Sequence, residues 1–316
     1  MVPRRVDRLL VLGVAALICA GGGTVVDGEL AAQTAGNALP APADDVIEVA
    51  RRFLQPSNDL RVAALEAELR RRDLPYTVQD FPGPGADRDP RPRGRNLVVS
   101  FGSGAPEVIV GGHLDAVRLR DGSLGDGMVD NAAGVVVLLQ VAEALRTLRL
   151  QRRVRVVFFD MEELGLLGSR AFVQAVEPDQ VAAMVNVDIV AYGDTLLFGP
   201  GGSSPDNPLA RVVQGVCARH AIPCIGTPRM PPSDDRSFEG ASIPAVSLGV
   251  LPAEDAHRIW ILLNGDRDGL PEGFAPEIMR IIHTERDTID KLEPDALTRA
   301  YRIVTGIVRE LDARPQ

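Results

Sequence analysis

Lysine is all but missing from this 316-residue chain: of 34 basic residues only Lys291 is not arginine, and 43 acidic residues leave a formal charge of −9. A basic face for a phosphate backbone is therefore lacking, and nucleic acid is excluded as a partner. Aromatic residues make up 4% of the chain. A core must then be packed from Val, Leu and Ala, which suits an α/β domain. No internal repeat is present, and no shift in composition marks a second domain. The apolar run at the N-terminus, Leu9 to Ala20, is too short for a comfortable membrane span.

That run follows Arg4, Arg5 and Arg8 and precedes Gly21–Gly23, which reads as a signal peptide or N-terminal anchor over residues 1–32. Small residues at Ala20–Gly23 and at Ala31–Ala32 offer two cleavage points. Residues 33–43 read as a Pro-bearing linker, and residues 44–316 as one catalytic domain. The expectation is export to the periplasm or beyond the cell, with lasting membrane association only if the segment stays uncleaved. Cys19 would leave with the signal. Cys217 and Cys224 can close a short loop in an oxidising compartment, or stand as two unrelated buried thiols.

The segments from Asp44 to Leu54 and from Asp59 to Arg72 read as helices, the second with Leu60, Leu65 and Leu69 near helical spacing. Tyr76–Phe81 is a strand. Asn96–Phe101 and Glu107–Val110 read as a hairpin-like pair turned at Gly102–Pro106. Helix 132–148, strand 154–159, helix 166–176 and strand 182–187 then alternate. Strand 195–198, helix 208–220 and strands 222–225 and 245–250 follow. Such alternation predicts an α/β fold of three layers, α/β/α, with a central mixed, largely parallel sheet. Leu251–Ile281 breaks the rhythm with Pro252, Pro271 and Pro276 and reads as a long excursion over one end of the sheet. Helix 296–311 closes the domain.

Ligand sites of open α/β sheets lie at the carboxyl ends of strands, and the chemistry-bearing residues gather there. Glu107–Val110 runs into Gly111-Gly112-His113-Leu114-Asp115. A Gly-rich loop leads to Asp130 and Asn131 where a helix begins. Strand 154–159 ends at Asp160, Met161, Glu162 and Glu163, and strand 182–187 ends at Asp188. His283 and Asp287 follow the excursion. Singly, each has an ordinary reading: a core imidazole, a helix cap, a solvated acid. Jointly, two of only four histidines and several carboxylates converge on one sheet edge.

GGHLDAV, the DNAAG run, the MEELGLLGS run, NVDIV and HTERDT together resemble the five motifs of the co-catalytic di-zinc exopeptidases, over about Asn96 to Thr288. That family includes bacterial leucyl aminopeptidases and glutamate carboxypeptidase. The resemblance implies the zinc exopeptidase (phosphorylase/hydrolase-like) fold and two Zn²⁺ per chain. His113 and Asp188 would hold one zinc, Glu163 and His283 the other, with Asp130 bridging. Glu162 would be the general acid/base for hydrolysis of a terminal peptide bond by a zinc-bridging hydroxide. Asp115 would accept from the His113 ring, and Asp287 would do similar service near His283. Peptides would be the substrates, cut most simply by an aminopeptidase.

Ser233–Phe238 departs from the family's usual Ser-Asp-His, with Asp235 in the histidine's place. Trp260 is an apolar candidate for a specificity pocket, with plain packing as its alternative. Arg229 and Arg236 can be read as anion holders or as surface residues. Two rivals stay open. One is a glutaminyl-peptide cyclotransferase-like enzyme with one zinc, whose histidine motif typically carries Trp where this chain has Ile282. The other is a non-catalytic relative acting as a binding module.

Overall fold

A computed structural model describes residues 45–85, 93–200, 207–266, 269–271 and 273–314. The signal or anchor segment and the linker lie outside the described residues, as does Cys19. Among the described residues, eight strands form one sheet in the order β1-β2-β4-β3-β5-β8-β6-β7. They are β1 (Tyr76–Pro82), β2 (Arg93–Phe101), β3 (Glu107–His113) and β4 (Val154–Phe159), then β5 (Val181–Val187), β6 (Thr195–Gly199), β7 (Cys224–Gly226) and β8 (Ala245–Leu251). The central four, β4, β3, β5 and β8, are parallel, so their carboxyl ends open on the same edge. β2 and β6 run against them on either side.

Asn96–Phe101 and Glu107–Val110 do not form the expected hairpin, because β4 lies between β2 and β3. The five-residue link crosses the start of β4, where Val108 N–H donates to Arg153 O at 2.9 Å. Gly102 and Gly104 let the link lie directly on the Gln151–Arg152 backbone. Two strands adjacent in sequence are thus parted by a third that arrives fifty residues later.

Eight α-helices are described: α1 (Val46–Arg51), α2 (Asn58–Arg71), α3 (Ala133–Leu145), α4 (Leu167–Val173), α5 (Pro208–His220), α6 (Asp235–Gly240), α7 (Ala253–Asn264) and α8 (Pro294–Asp312). Side chains alternate across a strand. Ile109, Val157, Phe159 and Met184 face α4 and α6, packing with Phe172 and Phe238. The alternate residues face the layer in which α3 packs on α8 and α8 on α5. α3 is apolar all round, and every residue in it but Glu143 is buried, as a central core helix should be. The excursion after β8 holds a regular helix, α7, which was not foreseen. Glu254 and Asp255 in its first turn suit the helix dipole. A disulfide joins Cys217 on α5 to Cys224 on β7, across a Cα separation of 6.3 Å.

Candidate metal centre

His113 is the last residue of β3, and its place is set by what precedes it. A Cβ on Gly112 would lie 2.4 Å from the Val187 carbonyl oxygen, so only glycine lets β3 and β5 close up at the ends that carry His113 and Asp188. Asp130 is presented by an irregular turn, Met128–Ala132, in which Asp130 and Asn131 have non-helical φ/ψ and are joined by a cis peptide. Gly127 begins that turn at φ +56°, where a Cβ would meet the Ala116 side chain at 2.7 Å. Glu162 and Glu163 follow β4 after Met161, and His283 ends the excursion. Met161, Ile189 and His283 all have positive φ, near 60°, 55° and 60°. Such backbone costs energy in non-glycine residues and gathers at functional sites. Here it turns the chain sharply beside Glu162, beside Asp188 and at His283 itself.

Among the described residues, two donor triads form, His113–Asp130–Asp188 and Asp130–Glu163–His283. Asp130 is common to both and gives one oxygen to each. Its Oδ1 lies 3.0 Å from His113 Nε2, and its Oδ2 lies 3.1 Å from His283 Nε2. His113 Nε2 is 3.5 Å from Asp188 Oδ1, and His283 Nε2 is 3.3 Å from Glu163 Oε1. Asp188 Oδ1 and Glu163 Oε1 are buried, and beyond these long imidazole contacts neither has a hydrogen-bond donor. Uncompensated buried carboxylate oxygens are costly. A divalent cation in each triad would satisfy them, so the donor set fits two metal ions of the kind imidazole and carboxylate hold.

Burial by itself lowers the His113 pKa, but the Glu162 charge and hydrogen bonds to Asp115, Asp130 and Asp188 outweigh it, leaving the imidazole well above its ordinary value. Hydrogen bonds to Asp130 and Glu163 raise His283 to about 10. Burial pushes Asp130 up, and the two imidazoles more than reverse this, holding it below the usual carboxylate range. Two imidazolium protons thus sit where metal charge would be. Burial, helped by the nearby Asp234, Asp188 and Asp130 charges against the opposing pull of His113, raises Glu162 to about 9.

The surrounding groups fix this arrangement. Asp115 does more than meet the His113 ring, whose Nδ1 is 3.5 Å from its Oδ1 and 3.2 Å from its backbone oxygen. Its carboxylate also accepts from the Glu162 and Glu163 N–H groups at 3.0 and 3.2 Å. Asp287 serves the Asp130 turn and not His283: it accepts from Val129 N–H at 2.6 Å and Asp130 N–H at 3.1 Å. Asn131 donates to Val187 O at 2.8 Å and accepts from Gly134 N–H at 3.2 Å. That second bond satisfies the Gly134 N–H in the first turn of α3. Asp234 and Asp235 are fully buried with no hydrogen-bond donor, and burial raises them to about 7 and about 8. Arg229 and Arg236 are engaged elsewhere, on Leu263 O and on Glu239 with Met230 O.

An apolar cavity of about 110 Å³ opens beside Asp188, lined by residues that include Met230, Gly249, Leu251, Ile259, Ile278 and Ile282. Trp260 does not line it; the neighbouring Ile259 does. Asp255 anchors its wall, accepting from Glu277 and Ile278 N–H at 2.9 Å each and from Tyr192 OH at 3.3 Å.

A probable leucine aminopeptidase 2 of Aspergillus oryzae is 28% identical over 182 residues, 52% of this chain and 36% of its own length. The alkaline phosphatase isozyme conversion protein of Escherichia coli K12 is 30% identical over 251 residues, 69% of this chain and 71% of its own. The chain spans only about a third of the length of the first curated relatives it matches, 36%, 38% and 32%. The fold is similar to that of a zinc aminopeptidase from Bacillus subtilis, with a TM-score of 0.55 at 21% identity over 68% of this chain and 49% of that one. A glutaminyl cyclase from Porphyromonas gingivalis superposes with a TM-score of 0.65 at 20% identity over 86% of this chain and 99% of that one. Residues 96–308, more than half of the chain and the span that holds both triads, match the model of peptidase family M28, and the chain belongs to that family.

Proposed function

We propose that this chain is a secreted metallo-exopeptidase, an aminopeptidase that uses two zinc ions and removes N-terminal residues with apolar side chains. The observation that carries the reading is the pair of triads sharing Asp130, set against Glu162 on one side and an apolar cavity on the other. His113 and Asp188 would hold one ion, Glu163 and His283 the other, and Asp130 both. When bound, the ions would supply Lewis-acid polarisation of the scissile carbonyl and a water acidic enough to ionise near neutral pH.

Glu162, half-buried and held by its backbone on Asp115, takes the proton of the attacking water and returns it to the departing amine nitrogen. The choice of terminus follows from charge. The site is rich in carboxylate, and the arginines nearest the cavity wall, Arg229, Arg236, Arg280 and Arg286, are all engaged by carboxylates or carbonyls. A C-terminal carboxylate finds no free cation among these residues, which favours the amino terminus. The cavity beside Asp188 receives the first side chain. Residues 1–32 would direct export, and residues 44–316 form the catalytic domain.

Zinc per chain by elemental analysis, with turnover of aminoacyl-anilides and N-terminal-glutamine peptides, tests this. Two zincs, with leucyl- and methionyl-anilide hydrolysis lost on chelation, are expected. One zinc with pyroglutamate as product would make the chain a cyclotransferase. A folded protein that takes up no metal would make it a binding module.

A further inference from the structure

Arg61 lies on α2, outside every motif described above, and is fully buried. It occupies the same helical stripe as Leu65 and Leu69, the face that meets the core. A buried guanidinium needs partners for five N–H groups, and Arg61 finds four in backbone carbonyls. Nε donates to Leu114 O at 2.8 Å, one residue from His113. Nη1 donates to Phe53 O and to Asp126 O, each at 2.8 Å, and Nη2 to Gly127 O at 3.2 Å. One planar group therefore joins the loop that leaves β3 to the loop that enters the Asp130 turn. The second loop is gripped from two directions, its carbonyls by Arg61 and its N–H groups by the Asp287 carboxylate. The charge matters as well as the fork. The Arg61 cation stands among Asp115, Asp287 and Asp130, and although burial lowers its pKa to about 10 it remains protonated at neutral pH.

We infer that Arg61 is a positioning residue of the metal centre: its guanidinium ties the His113 loop to the Asp130 turn and so sets the spacing of those two ligands. The inference rests on the metallopeptidase reading. Substituting outer partners of metal ligands typically weakens metal binding about 10–100-fold. The His113–Asp130–Asp188 triad draws two ligands from the loops that Arg61 joins, while Glu163 and His283 arrive on other segments. Loss of Arg61 should therefore weaken one zinc more than the other.

Arg61→Lys keeps the charge but loses the fork, and Arg61→Gln keeps a planar donor but loses the charge. Glu68→Gln is the control. It disturbs a buried acid on the same helix, bound by Arg52, Arg71 and Arg72 and away from the metal loops. Stepwise zinc affinities are read by chelator competition, with thermal unfolding alongside. Expected is a loss of about 10-fold or more in one step for Arg61→Lys, with a smaller loss in the other step through the shared Asp130, and both steps of Glu68→Gln within about threefold of wild type. Should a variant fold only with metal, the zinc concentration at the folding midpoint gives the affinity. Unchanged steps in both Arg61 variants, or an equal loss in Glu68→Gln, would overturn the inference while leaving two-zinc wild-type protein and the enzyme reading intact. Wild-type protein that binds no zinc would overturn the reading itself.

Discussion

The metal centre and the apolar cavity share Asp188 but are built in opposite ways. The centre is assembled from three strand ends and two turns, and its groups are held by crossed hydrogen bonds, buried charge and left-handed backbone. The cavity is walled on one side by the excursion, through Ile259, Ile278 and Met279, and Asp255 anchors that wall. A centre of this kind tolerates almost no change, because each group restrains several others. A wall hung on one carboxylate can change shape while the chemistry stays. Rate should then reside in the first region and side-chain choice in the second.

Metal removal breaks the comparison most completely. It should abolish hydrolysis and lower the melting temperature, since ligand that binds only the folded chain at about 1,000 times its Kd contributes about 4 kcal/mol. The size depends on pH in a definite direction. His283, near 6.5 unfolded and about 10 folded, and Glu162, near 4.5 unfolded and about 9 folded, both stabilise the metal-free chain when protonated. Their contribution is full below the unfolded values and is lost as pH rises through the folded ones. Asp287, at about 7, adds the same sign lower down. Zinc displaces the imidazole protons, so the gap in melting temperature between loaded and metal-free protein should widen from pH 6 to pH 9. A gap that narrows would show that the imidazoles are not held protonated.

Glu162→Gln should leave both zincs and the melting temperature in place while lowering kcat about 10²–10⁴-fold. Loss of metal in that variant would make Glu162 a ligand instead of an acid/base. The cavity is then probed separately. A Cβ on Gly249 would rest 3.5 Å from Asp188 O, an ordinary contact, so Gly249→Ala should fold and narrow the cavity by one methyl. Its preference for leucyl over alanyl substrates should fall about 10-fold, at the lower end of what one methylene is worth. A preference that stays put would place the first side chain elsewhere. The smallest effect belongs to Asp255→Asn. The wall segment would lose charge-assisted bonds worth about 1.5–3 kcal/mol. kcat/KM for large apolar side chains should drop severalfold, with alanyl turnover and zinc content near wild type. An equal loss on all substrates would mean that this region also shapes the metal centre.

Of the triad donors, His113, Glu163 and Asp188 were legible because each sits within a few residues of a strand end, whereas Asp130 and His283 lie on long connections and were marked by the motif resemblance. Their supporting groups were not. Asp287 was placed beside His283, its neighbour in sequence, but it binds the Asp130 turn some 157 residues away. Arg61 carried a signal that went unread, a charged residue on a helix's core face. α7 was masked by the prolines around it, although Pro252 and two acids mark its start. Trp260 was named as a candidate for being large and apolar, with plain packing as its alternative, and rotation along α7 turns Ile259, not Trp260, into the cavity.

The sequence by itself determined the alternation of strands and helices, the buried character of the central strands, and the donor types that could gather at their ends. These depend on residues close together in the chain. The tertiary structure alone decided that β4 parts β2 from β3, and that Asp130 divides its oxygens between two histidines from distant segments. It also decided that a buried arginine braces the loops between them. Strand order, shared ligands and buried ion balance are set by contacts between remote segments, which become favourable only when the whole sheet has closed and water is excluded.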